Sequence, residues 1–135
     1  MDRPVSVVRI IVPDDKGKVL ILKRAHTDYS AGGWCLPGGK VDYGKLVEES
    51  VADELSEETS LKCLSCKFLF YQDSLPLEPG GMHCINFYFE CRCSGEVRLN
   101  EESSDFAWIE RQEMAEYNIV FNNDAGMKQY WQGME

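Results

Sequence analysis

Three features of the sequence predict a mixed α/β layered domain. Apolar, β-branched segments open the chain, one acidic amphipathic segment over residues 45–59 reads as a helix, and aromatic-rich strands follow it before two short helical segments. A chain of 135 residues with 44% hydrophobic content can close one ordinary core but hardly two. Residues 1–135 are therefore expected to form a single domain, and neither an internal repeat nor a linker interrupts them.

Val5 to Val12 is β-branched and compact, Pro13-Asp14-Asp15-Lys16-Gly17 supplies turn chemistry, and Val19 to Arg24 is again apolar, so the pair reads as a hairpin. Residues 25–44 hold Gly32, Gly33, Gly38, Gly39 and Gly44 with Pro37, the composition of a loop. Residues 45–59 lack both Gly and Pro and place Val47, Val51 and Leu55 at i, i+4 and i+8, one face of a helix. Lys67 to Gln72 and Cys84 to Cys91 favour strands, and Pro76, Pro79, Gly80 and Gly81 mark a surface loop between them. Arg111 to Tyr117 and Asp124 to Trp131 are each expected to be helical, the second despite Gly126.

Charge and cysteine content narrow the function classes. Acidic residues outnumber basic ones 23 to 14, and a net charge of −9 opposes diffuse attraction to nucleic acid or an anionic membrane. Large nucleic-acid partners are thus not expected, whereas a small anion remains compatible if bound cations neutralise the site locally. Met1 to Val12 carry Asp2, Arg3 and Arg9 and do not resemble a secretory signal, and no run approaches the ~18 apolar residues of a membrane helix. A soluble, cytoplasmic protein without a membrane partner is the expectation; a homodimer is an assembly left open. The six cysteines invite a disulfide framework or a zinc site from Cys63-x-x-Cys66 with Cys91-x-Cys93 and His83. The second pair lies in an alternating apolar stretch, which favours reduced strand cysteines packed as small hydrophobes.

The informative region runs from Gly38 to Leu61. If 45–59 is helical, Glu54, Glu57 and Glu58 are related by i, i+3 and i+4 and project from one face within ~6 Å of one another. A solvated acidic helix face is the ordinary reading of such a run. The glycine pair in front of it points elsewhere: hard oxygen ligands on adjacent turns suit Mg²⁺ or Mn²⁺, and a Gly-Gly backbone can approach without side-chain obstruction. Phosphate chemistry is the natural use of such a site.

This stretch resembles the signature box of the Nudix hydrolases, which reads Gly, five residues, Glu, seven residues, Arg-Glu-apolar-x-Glu-Glu-x-Gly-apolar. Gly39, Glu54, Leu55, Glu57, Glu58 and Leu61 fix the register. The likeness continues in the apolar segment ending at Arg24, in Gly33-Trp34-Cys35-Leu36-Pro37-Gly38-Gly39, and in Glu101 to Ile109, where an acidic loop precedes a Trp-containing strand. It implies a Nudix-like α/β/α sandwich around a central mixed β-sheet. It also implies a metal-dependent hydrolase that cleaves the diphosphate bond of a nucleoside triphosphate or another nucleoside diphosphate-linked small molecule. By position, Glu54, Glu57 and Glu58 correspond to metal-coordinating carboxylates and Gly38 to a carbonyl ligand, while Glu54 and Glu102 compete for the role of general base. Arg24 and Lys40 are the basic candidates for substrate phosphates. Tyr29, Trp34, Tyr71 and Phe121 are candidates for stacking on a base, with Asn122 or Asn123 reading its edge; His26 and His83 receive no catalytic role.

Three positions depart from the family box: Lys45 stands in place of its first Glu, Asp53 of its Arg and Ser60 of its last Gly. Charge is reversed together at 45 and 53, which predicts a swapped ion pair. Eight residues of straight helix rise ~12 Å, so contact requires Lys45 to lie in the preceding loop and fold back. Ser60 is less suited than Gly to a left-handed helix end. Two other readings stand beside the hydrolase: a nucleotide-sensing module that has lost turnover through these changes, and an acidic globular domain with no nucleotide role.

Overall fold

A computed structural model describes residues 3–25 and 31–134. Strand β1 (Val5–Ile11), β4 (Gly38–Lys40), β6 (Cys84–Ser94) and β5 (Lys62–Ser74) form a four-stranded mixed sheet in the order β4-β1-β6-β5. Within it β1 runs parallel to β6 and antiparallel to β4, and β5 is antiparallel to β6. Strands β3 (Trp34–Cys35), β2 (Val19–Arg24) and β7 (Ser103–Ile109) form a second, antiparallel sheet in that order. Helix α1 (Val47–Thr59) packs on one side, and a 3-10 helix (Arg111–Glu116) and α2 (Asn123–Gln132) on the other.

The two cores explain this layering. Along β2, Leu20 and Leu22 join Val8, Ile10, Val51 and Leu55 beneath α1, whereas Val19 and Ile21 join Ile11, Tyr88, Met114 and Met127 beneath the C-terminal helices. A strand covered on both faces needs apolar side chains at successive positions, as Val19–Leu22 has. The α/β/α arrangement expected from the family resemblance is the one observed.

The hairpin expected from residues 5–24 is realised only at its turn. Asp14 Oδ1 accepts from the Lys16 and Lys18 N–H groups, Gly17 takes φ +80°, and Leu20 N–H donates to the Val12 carbonyl at 3.1 Å. Beyond that point the strands part into different sheets. Both carry apolar residues on both faces, so their sequences contain no alternation that would name the partner.

The segment 25–44, expected to be loop throughout, contains β3 and β4. Strand β4 is specified by backbone pairing with β1, Gly38 opposite Arg9 and Gly39 opposite Val8. A Cβ on Gly38 would lie 2.0 Å from the Val8 carbonyl oxygen, so the close approach of these chains requires glycine. Strand β5 runs longer than expected, through register shifts at Cys63/Ser65 and Phe68/Phe70. The segment expected as a helix from Arg111 is a 3-10 helix. In α2 the interior Gly126 has a packing reason: a Cβ there would sit 2.2 Å from the Tyr88 ring. Among the described residues no helix is long and apolar enough to cross a membrane.

Candidate active site

Helix α1 begins at Val47, two residues later than the composition suggested, because the chain before it turns. Lys45 N–H donates to the Asp42 carbonyl, Gly44 takes φ +86°, and the Leu46 N–H is accepted by Glu49 Oε1 at 2.9 Å. Lys45 therefore lies in the loop and folds back, and its Nζ meets Asp53 Oδ2 at 2.5 Å. The swapped ion pair predicted from the two departures is present. Both side chains are half-exposed, so the contact fixes direction more than it stabilises the fold. The bond to Asp53 holds the Lys45 ammonium above its usual range. At the other end Ser60 adopts φ +65°, ψ 7°, the left-handed cap foreseen for the missing glycine, and its hydroxyl donates to the Arg98 carbonyl at 3.0 Å.

Helical periodicity turns Val51 and Leu55 into the core and sets Glu54 and Glu58 against β4. Glu58 is only 8% exposed, and its Oε1 accepts from the Gly38 N–H at 3.4 Å. The Glu54 carboxylate lies over Gly39 so closely that a Cβ there would be 2.7 Å from it. Arg24, Gly38, Gly39, Lys40, Asp42, Glu54, Glu58 and Glu102 line one recess of about 370 Å³. Glu102 is held beside the end of β2 by the Ala25 N–H, which donates to its carbonyl at 3.0 Å, where a register shift at Lys23/Arg24 also redirects the strand.

Burial sets the electrostatics. It pushes the Glu58 carboxyl up to about 9, with the hydrogen bond and charge of Glu54 adding to the effect and the Gly38 N–H opposing it. Burial also raises Glu54; its hydrogen bond to Glu58 opposes this, while Glu57, Glu102 and Asp42 contribute further repulsion. Without a cation, the two carboxyl groups thus share a proton. A divalent ion suits this donor set because it supplies in place of that proton the positive charge the pair lacks, through hard oxygens. Among the described residues no three acidic, His or Cys side chains already enclose an ion site, so a bound ion would draw the outer carboxylates inward.

The recess thus gathers Arg24, Gly38, Lys40, Glu54, Glu58 and Glu102 from the expected set. Glu57 is not among its lining residues: it is exposed one position along the helix, and its charge reaches Glu54. Asp42 is an added member, visible in the sequence only as one carboxylate among many. Arg9 was not anticipated either. Its guanidinium and that of Arg24 lie 5.2 and 4.9 Å from the Phe121 ring centroid, so Phe121 serves the two cations.

The other base-contact candidates divide. Trp34 packs edge-on against Tyr117 at 5.0 Å, Tyr71 is exposed on β5, and Asn123 is buried with its Oδ1 accepting the Leu36 N–H at 2.8 Å. Asn122 Nδ2 donates to Ser74 Oγ at 3.3 Å. Tyr29 and His26 lie outside the described residues. The His83 carbonyl accepts the Val5 N–H. A larger recess of about 590 Å³, between the 3-10 helix and α2, shares no lining residue with the carboxylate site.

The chain resembles known proteins along most of its length. Residues 3–130 match the NUDIX domain family. The chain is 25% identical over 123 residues to the nucleoside triphosphatase NudI of Escherichia fergusonii, covering 84% of this chain and 87% of that protein. The crystal structure of a MutT protein from Methanosarcina mazei Go1 superposes with a TM-score of 0.86 at 22% identity, covering 100% of this chain and 99% of that one. The NUDIX domain of Shewanella oneidensis NrtR, solved in complex with ADP ribose, superposes with a TM-score of 0.78 at 18% identity, over 100% and 91% of the two chains. The match over residues 3–130, with the nucleoside triphosphatase relatives, places this chain in the Nudix family as a Nudix-type hydrolase.

Proposed function

We propose that the recess between β4 and α1 hydrolyses the diphosphate link of a nucleoside triphosphate or another nucleoside diphosphate-linked small molecule, with Mg²⁺ or Mn²⁺ as the working ion. The observation that carries this reading is the meeting of Glu54, Glu58 and Glu102 with Arg24, Lys40 and the Gly38–Gly39 backbone around one recess. Glu54, Glu57, Glu58 and the Gly38 carbonyl would hold the ion, Glu57 from its exposed position. When bound, such an ion neutralises a diphosphate and lowers the cost of making hydroxide from water.

The remaining work belongs to the side chains. Hydrolysis adds water across a P–O–P bridge: the water oxygen bonds to phosphorus, the bridging P–O bond breaks, and the water's proton passes to a carboxylate. Glu54 and Glu102 compete to accept that proton. Arg24 and Lys40 bring positive charge to the same recess and bind substrate phosphates there. Lys45 counters the extra negative charge that Asp53 brings to the site helix, so the departures at 45 and 53 compensate each other. This favours turnover over a purely sensing role.

The protein is placed in the cytoplasm as part of the same proposal. The test is incubation of purified protein with Mg²⁺ or Mn²⁺ and a panel of nucleoside triphosphates, nucleotide sugars, ADP-ribose and dinucleoside polyphosphates, with product release measured. Metal-dependent release from at least one member is expected. Saturable binding with no turnover across the panel would overturn the reading in favour of the sensor.

A further inference from the structure

The function proposed above leaves one sequence motif unused: Cys63-x-x-Cys66 and Cys91-x-Cys93. The structure brings all four together. In the antiparallel ladder of β5 and β6, Cys63 stands opposite Cys93 and Cys66 opposite Cys91. A three-residue step along a regular strand would put Cys63 and Cys66 on opposite faces. The register shift between Cys63 and Ser65 absorbs one residue, Leu64, and restores both cysteines to the face carrying Cys91 and Cys93. That face packs beneath α1, with Cys91 fully buried and the other three at its margin.

All six cysteines of the chain are free thiols. Cys63 interacts electrostatically with Cys66, Cys91 and Cys93, and the Cys93 thiol donates to the Cys91 carbonyl at 3.8 Å. Directly opposed residues of antiparallel strands have Cα atoms about 4.5–5.5 Å apart, inside the range a disulfide spans. Of the two opposed pairs, only Cys63 and Cys93 have both members partly exposed. Cys93 also lines an open recess of about 480 Å³ with Val12, Leu61, Gly95 and Trp108, which admits a small oxidant.

We propose that Cys63 and Cys93 are a reversible redox pair that closes to a cross-strand disulfide when the protein meets a peroxide. The Cys93 thiolate attacks a peroxide oxygen, the O–O bond breaks, and the departing hydroxide takes up a proton as water, leaving Cys93 as a sulfenic acid. The Cys63 sulfur then attacks that sulfur, the S–O bond breaks, and a second water leaves with the Cys63 proton as the S–S bond forms. Two thiols lose two electrons, and one peroxide is reduced to two waters. Burial pushes the Cys93 thiol up to about 11, so only a small fraction is thiolate at neutral pH and closure is slow there, accelerating as pH rises. The bond would tie β5 to β6 under the helix that carries Glu54 and Glu58.

The test uses the full chain and hydrogen peroxide, with free thiols counted in denaturant and cysteine linkages mapped by mass spectrometry. Two of the six thiols should disappear, a Cys63–Cys93 linked peptide should appear and revert with dithiothreitol, and Tm should rise by roughly 10 °C for a loop of this length. Cys63→Ser should abolish the linkage and Cys84→Ser should retain it. Persistence of all six thiols would overturn the proposal, as would a linkage through other cysteines or Cys93 sulfinic acid without a cross-link. Protection of all four thiols by one Zn²⁺, with no disulfide formed, would overturn it in favour of a metal centre.

Discussion

Replacing Glu58 by Gln should stabilise the metal-free protein at neutral pH, although Glu58 is a site carboxylate. Its carboxyl is held at about 9 in the fold against 4.5 when unfolded, so folding takes up a proton between those values. The associated stability is fully present below about pH 4.5 and is lost progressively as pH rises toward 9. At pH 7 the cost is on the order of 3 kcal/mol, from about 2.5 pH units at 1.36 kcal/mol each. Gln keeps the side-chain oxygen that accepts the Gly38 N–H and has no proton to exchange over this range. Thermal unfolding in EDTA from pH 5 to 9 should show wild-type Tm falling relative to Glu58→Gln, with the variant higher by roughly 10 °C at pH 7. Mg²⁺ should raise the wild-type Tm more than that of the variant. Parallel Tm–pH curves for the two proteins would refute the burial argument.

Other perturbations test the packing and the site. Gly126→Ala should lower stability by about 1–3 kcal/mol because its Cβ meets the Tyr88 ring at 2.2 Å, whereas helix propensity alone would raise it by ~1 kcal/mol; denaturant unfolding gives the sign. Gly39→Ala should reduce kcat at least roughly tenfold with far-UV circular dichroism unchanged, since its Cβ displaces the Glu54 carboxylate. Lys45→Glu and Asp53→Arg should each lower kcat several-fold, and the double variant, which restores the family's charge order, should recover most of it. Single-variant losses that simply multiply in the double variant would show that the pair does not act as a unit.

Much of the site was legible because helical spacing is a strong signal. Val47, Val51 and Leu55 located the helix, and the joint charge reversal at 45 and 53 located an ion pair that the backbone turn at Gly44 makes geometrically accessible. What the sequence did not contain was pairing information. Strands β1 and β2 are apolar on both faces and diverge into separate sheets, and β3 and β4 exist through backbone bonds that leave no side-chain pattern.

Depth was equally hidden. Glu54, Glu57 and Glu58 share one helical stripe in projection, but the approach of β4 buries Glu58, half-covers Glu54 and leaves Glu57 exposed. Asn123 looked like a base reader and instead holds the backbone at Leu36, and Gly126 looked like a weakness in α2 and is its contact with Tyr88.

The Glu54–Glu58 recess is proposed to catalyse metal-dependent diphosphate hydrolysis. This is tested most directly by comparing wild type and Glu54→Gln on the best substrate of the panel, with Mg²⁺ and with EDTA. Turnover by wild type that requires the ion, and that falls at least roughly a hundredfold in Glu54→Gln with the fold intact, is the predicted result. Equal rates in the two proteins, or turnover indifferent to EDTA, would contradict it.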